Sequence, residues 1–211
     1  MKRRLISGCL FLMVFAIFTW SLAHVDVQPI GPMESGVGYA KINEWVRERV
    51  QFSRKMYIIT DWAGVGAILI AAGFAILGLK QWIQRRNILK VDKDILLLGV
   101  FYLAVFGMYV LFEFVVVNKR PILIDGVLEA SYPSSTTVLS LCVLVTAGMQ
   151  AKRRVRKAKI RRFLSFFLYE AAFFMVAGRL LSGVHWFTDV LGGYLFSMGA
   201  ILLYSASVQS R

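Results

Sequence analysis

The strongest constraint on this chain is a repeated alternation of long apolar runs with clusters of charge. Apolar windows fall at about 5–24, 57–79, 94–117, 133–150, 163–181 and 186–207, each close to the roughly 20 residues that a helix needs to cross a bilayer. Within lipid such a segment must satisfy its own backbone polar groups, which leaves the helix as the available form. Composition agrees, with 58% hydrophobic and only 18% charged residues, whereas soluble domains carry about 25% charged residues. The sequence predicts an all-α, polytopic membrane protein with six transmembrane helices. No internal repeat or low-complexity segment divides it, so residues 1–211 are read as a single membrane domain.

Charge sets the expected orientation. Lys2, Arg3 and Arg4, then Lys80, Arg85, Arg86, Lys90 and Lys93, the run "KRRVRKAKIRR" at 152–162, and Arg211 lie on one side of the six spans. Together they are 17 of the 25 basic residues, and by the positive-inside rule that side is cytoplasmic, with both termini on it. The net charge of +13 therefore follows from topology and not from nucleic-acid binding. The basic loops suit contact with anionic lipid headgroups. The first apolar stretch follows a basic start and ends in "SLA"; at about eighteen residues it exceeds a usual signal core and reads as an uncleaved helix. Cys9 and Cys142 both lie inside apolar runs, with no metal-ligand spacing and no expected disulfide. In the long outer segment 25–56, Ile42, Trp45, Val46, Val50 and Phe52 fall roughly on one side of a helix, as in a helix lying on the membrane surface or in an ordinary amphipathic connector. His24 and Asp26 read as ordinary interfacial residues.

Two outer segments carry polar residues of an unusual kind. "NKRPILIDGVLEASYPSSTT" (118–137) joins the third span to the fourth, and "GRLLSGVHWFTDV" (178–190) joins the fifth to the sixth. Arg120 and Arg179 then share a depth and a side, and arginines at a membrane edge need a partner or ligand. His185 and Asp189 stand four apart, on one helical face. A carboxylate there accepts the proton of one imidazole nitrogen and frees the other as nucleophile or base. Pro133 with Ser134, Ser135 and Thr136 forms a helix start, whose free N–H groups attract anions. Two arginines, an N–H nest and an oriented histidine describe a phosphate site with a nucleophile. Glu170, mid-way along the fifth span, reads as a helix–helix polar contact.

At these residues the chain resembles the type 2 phosphatidic acid phosphatase family, magnesium-independent membrane phosphatases related to vanadium haloperoxidases. The family motifs are Lys-x6-Arg-Pro, Pro-Ser-Gly-His and Ser-Arg-x5-His-x3-Asp. The third is matched by Gly178-Arg179, His185 and Asp189, the first by Arg120-Pro121, and the second by Pro133-Ser134. The resemblance implies a phosphohistidine mechanism with no metal or other cofactor. His185 attacks phosphorus, Asp189 holds its ring, and Arg120, Arg179 and the amides of Ser134, Ser135 and Thr136 bind phosphoryl oxygens. It implies a phosphorylated membrane lipid as substrate, a bacterial cytoplasmic membrane as location, and a site on the outer face.

The chain departs from the family pattern at two positions. Glu113 stands where the family has lysine, and Thr136 where the second motif has histidine. That histidine protonates the leaving oxygen, a task threonine cannot perform near neutral pH. General acid catalysis contributes about 10²–10⁴-fold. An alkoxide, with a conjugate-acid pKa of about 16, needs this help. A departing phosphate, with a second pKa of about 6, needs it far less. The expected substrate is thus a prenyl diphosphate such as undecaprenyl diphosphate. Glu113 lowers the positive charge of the site unless Lys119 compensates. It is read either as a replacement proton donor or as an ion-pair partner of Arg120 or Arg179. The alternative function is a catalytically impaired relative that binds or moves a phosphorylated lipid.

Overall fold

The computed structural model describes residues 1–209, and its regular elements are all helices, with no strand among those residues. Arg211, counted above with the cytoplasmic charges, lies outside the described residues. The helices are α1 (Lys2–Leu22), α2 (Ala40–Arg49), α3 (Arg54–Arg85), α4 (Lys93–Phe114), α5 (Ser135–Arg154), α6 (Ala158–Leu181) and α7 (Phe187–Val208). Five of them, α1, α3, α4, α6 and α7, are long and apolar enough to cross a membrane. The windows 57–79 and 163–181 fall within α3 and α6, whereas 5–24 and 94–117 run two and three residues past the ends of α1 and α4, and 186–207 begins one residue before α7.

The sixth expected span, 133–150, forms α5, which is less apolar than the other five, and its position explains why. It packs against α3, α4, α6 and α7. Twelve of its 20 residues are buried, against four of the 32 in α3. A helix wrapped by protein needs no lipid-compatible surface and can carry polar groups that pair internally. Thr146 donates to the Cys142 carbonyl at 2.6 Å and lies 3.0 Å from the Tyr102 hydroxyl. Gln150 donates to the Tyr204 hydroxyl at 2.8 Å. Around α5, Leu98, Phe101, Leu141, Leu168, Met175 and Ile201 form the main apolar core. Glu170 is exposed on α6 and is not the helix–helix contact that its depth suggested.

Small residues bring α1 against α7. A methyl group on Gly8 would sit 3.1 Å from the Gly199 carbonyl oxygen, and one on Gly199 would sit 3.1 Å from that of Gly8. Such close backbone approach replaces the hydrophobic drive that lipid removes. One end of the bundle is tied by ions. Arg154 bonds Asp92 at 3.1 Å and Asp94 at 2.9 Å, and Arg85 bonds Asp92 at 2.9 Å. The Arg85 guanidinium holds the Asp92 carboxyl down at about 2.

The other end is built from the connections. Segment 115–134 doubles back through Lys119 opposite Ala130 and Ile124 opposite Val127, around the left-handed pair Asp125-Gly126. Helix α2 sits above it, started by Asp26, whose carboxylate accepts from the Lys41 amide at 2.9 Å. Residues 43, 46 and 50 turn inward, while Ile42, Trp45 and Phe52 face out. The five apolar residues of 42–52 therefore do not share a face. The helix ends at Arg49, and buried Asn43 fixes its rotation through bonds to Thr188 at 2.9 and 3.2 Å.

Gly192 gives a test of this packing. A methyl there would lie 2.4 Å from the ring of Tyr132, which is buried and bonded through its hydroxyl to Thr19 at 2.7 Å. Gly192→Ala is expected to cost about 1–3 kcal/mol, read as a lower melting temperature in detergent. Gly73→Ala, where a methyl meets nothing within 4 Å, should leave it unchanged.

Candidate functional site

His185 lies in the short connection between α6 and α7 and is buried. Its Nε2 is 3.3 Å from a terminal nitrogen of Arg179 and 3.5 Å from one of Arg120. The two arginines come from segments 59 residues apart in sequence. Arg179 is placed by the last turn of α6, and Arg120 by the doubled-back segment, where its amide bonds the Glu129 carbonyl at 3.0 Å. The expected meeting of Arg120, Arg179 and His185 is present in the structure. Their convergence on one nitrogen makes a small, cationic place beside a nucleophilic atom.

Asp189 is fully buried in the first turn of α7. Its Oδ2 accepts from the Trp186 amide at 3.0 Å and lies 3.8 Å from His185 Nδ1. At that distance the two are neighbours without a hydrogen bond, and Nδ1 has no other partner. Oδ1 accepts from Asn118 at 3.0 Å. Burial pushes the His185 imidazole down to about 4, and the two arginines add to that effect. Asp189 pulls the other way, too weakly to offset burial. His185 is thus neutral at pH 7, the form able to attack.

The other expected residues divide. Ser134 is buried, and its amide is committed to the Asp189 carbonyl at 3.0 Å, so it joins α5 to α7 and offers no N–H to a ligand. Ser135 and Thr136 begin α5, where helix geometry leaves amides unpaired. The Thr136 methyl faces α3 at Gly64. Lys119 contributes its carbonyl, which accepts from the Trp186 indole at 2.7 Å, while its side chain is exposed. Glu113 is exposed near the end of α4 and interacts with Tyr109. It does not pair with either arginine, because the chain leaves the helix at Phe114 and carries Arg120 away from it.

The carboxylates against the arginines are two that sequence reasoning missed. Glu129 takes the Arg120 Nε–H at 2.9 Å, and Asp61 lies 4.0 Å from Arg179. Arg179 also donates to Thr60 at 3.3 Å and lies over the Tyr57 ring. Glu129 stood within the quoted segment 118–137, and the left-handed signal of Asp125-Gly126 folds it back beside Arg120. No comparable signal marks Asp61. Asn43, Val46 and Arg47 of α2, with Val50 just after it, close the region of His185 and Trp186 from above, with Arg47 over the indole at 5.3 Å.

Two expectations follow. Because the folded protein binds the His185 proton less readily than the unfolded chain does, the stability linked to this group is full above about 6.5. It drains as pH falls toward about 4. Nitrogen NMR of histidine-labelled protein, which has only His24 and His185 to resolve, should find His185 neutral well below the pH at which a free histidine titrates; a midpoint near 6.5 would contradict it. Glu129→Gln frees Arg120 and should lower the inorganic phosphate concentration for half-maximal thermal stabilisation about twofold to fivefold. An unchanged concentration would show that Glu129 does not compete with anions.

Comparison with known proteins bears on the same region. A crystal structure of a transmembrane PAP2 type phosphatidylglycerolphosphate phosphatase from Bacillus subtilis superposes with a TM-score of 0.69. The match covers 97% of this chain and 98% of that one at 15% sequence identity, a likeness of fold. No match was found among curated proteins. The family model of the PAP2 superfamily matches residues 61–211, a stretch that holds both arginines, His185 and Asp189. The chain belongs to the PAP2 superfamily.

Proposed function

We propose that this protein is a membrane lipid phosphate phosphatase that works through a phosphohistidine. The observation that carries this reading is the convergence of Arg120 and Arg179 on His185 Nε2, at 3.5 and 3.3 Å. A phosphoryl group placed there meets two guanidiniums and a neutral imidazole nitrogen together. In the proposed reaction Nε2 attacks phosphorus, and the bond to the leaving oxygen breaks. The arginines hold the oxygens that gain charge, helped by the free amides of Ser135 and Thr136. Asp189 closes on Nδ1–H as the ring becomes cationic. Water then cleaves the phosphorus–nitrogen bond, releasing phosphate and restoring His185. None of these steps requires a metal.

The leaving group narrows the substrate. Thr136 supplies no general acid, and Glu113 is exposed near the end of α4 and bonded to Tyr109. From a diphosphate lipid the leaving group is the lipid monophosphate, which needs protonation far less than an alkoxide does, so a prenyl diphosphate such as undecaprenyl diphosphate fits best. The family membership and the fold of the similar phosphatase support the broader reading. The placement of Thr136 favours the second one, a relative that binds or moves a phosphorylated lipid without cleaving it.

For topology we propose six spans, α5 included, with both termini and the basic loops in the cytoplasm. In a bacterial cytoplasmic membrane the site then opens on the outer face. The fold supports this, since Arg4 bonds Ser205 and Arg154 bonds Asp94 at the end opposite His185.

Purified protein in detergent with EDTA is expected to release phosphate from undecaprenyl diphosphate faster than from phosphatidic acid. His185→Ala should abolish release. Equal rates on the two lipids would remove the diphosphate preference. No release from the wild type, with retained lipid binding, would establish the binding protein instead.

A further inference from the structure

Asn118 lies two residues before Arg120, in the segment leaving α4, and is almost wholly buried. Its Nδ2 donates to Asp189 Oδ1 at 3.0 Å and lies 3.4 Å from the Thr188 hydroxyl. Its Oδ1 accepts from the Gly38 amide at 3.4 Å, and its carbonyl accepts from the Ser131 amide at 2.9 Å. The side chain is thus fixed from both sides, by the segment before α2 and by the return strand of 115–134. Asn43 repeats the arrangement one residue away, holding Thr188 by its hydroxyl and its amide.

Asp189 has two oxygens to place. One turns toward Trp186 N–H and His185, and the other needs a donor, because an unpaired buried carboxylate oxygen is costly. Asn118 is the side chain that meets this need. Without that bond the carboxylate is held by the Trp186 amide alone and can pivot about Oδ2, which loosens its approach to His185 Nδ1. A gap of 3.8 Å closes only if the carboxylate is aimed along it.

We propose that Asn118 is a positioning residue for the reaction, setting the angle of the Asp189 carboxylate toward His185. It acts through Asp189 and touches neither the phosphate place nor the arginines' contacts with His185. The proposal rests on the His185–Asp189 reading above. Its signature is a fall in kcat with little change in KM, since the orientation of the histidine matters as its ring becomes charged and not as lipid binds.

The test is a double-mutant cycle on undecaprenyl diphosphate in detergent micelles, with melting temperature recorded for every variant. Asn118→Ala should lower kcat about tenfold to a hundredfold, the range for a lost bond to a charged group, with KM within about twofold. Asn118→Asp, which keeps the shape and loses the donor, should fall as far, and it carries the comparison if the alanine variant does not fold. The double variant Asn118→Ala with Asp189→Ala should be no slower than Asp189→Ala alone. Wild-type kcat in a folded Asn118 variant overturns the proposal, as does a double variant whose loss is the product of the two single losses. Full activity in Asp189→Ala overturns the underlying reading as well, and the single-variant data separate that result from failure of the Asn118 role alone.

Discussion

The carboxylate of Asp189 has no exposure, and burying such a group without partners would cost several kcal/mol. Much of one end of the bundle is arranged to avoid that cost. The first turn of α7 supplies the Trp186 amide, the segment after α4 supplies Asn118, and the start of α5 is tied to the carbonyl of the same residue through the Ser134 amide. Three parts of the chain, from positions 118, 134 and 186, are thereby fixed around one residue. His185 borders that knot, and Arg120 follows two residues behind Asn118. Satisfying a buried acid therefore also places His185 and Arg120.

The second organising constraint is the treatment of positive charge. Arg179 is 2% exposed, and its partner Asp61 is 61% exposed at the side chain; Arg120 at 14% is paired with Glu129 at 44%. In both pairs the cation is held inside and the anion sits outside, within reach of water. An exposed carboxylate rehydrates readily on release, whereas a buried guanidinium needs a new anion at once. On the proposed reading, this arrangement lets the arginines exchange their carboxylates for phosphoryl oxygens. The low net charge expected from Glu113 is thus a property of the site, but Glu129 and Asp61 are its source.

These outcomes mark what a linear reading can reach. Arg179, His185 and Asp189 were legible because they fall within eleven residues, where helical spacing converts directly into geometry. Arg120 followed from topology, since two loops at one depth have few places to meet. Glu113 misled because counting seven residues back from Arg120 assumes continuous register, whereas α4 stops at Phe114 and the chain then doubles back. Asn118 and Asn43 gave no signal. Asparagine is common in loops for local reasons, and their bonds to Asp189 and Thr188 span 71 and 145 positions. The apolar windows located every large helix, but they could not rank α5 as the central one. Apolar runs report what a helix faces only when that is lipid.

The central place of α5 also bears on the substitution at Thr136. The helix begins beside Asp189, whose carbonyl accepts from the Ser134 amide, and its first turn is hemmed by α3 at Gly64 and by α7 at Gly193. A histidine in that turn would have to share the space into which the Thr136 methyl now packs. Threonine in its place packs its methyl toward α3 and, under the proposed reading, supplies no proton donor. That exchange is harmless only where the departing group carries its own stable charge. Under the proposed phosphatase reading, the absence of that proton donor favours a phosphate leaving group over an alkoxide.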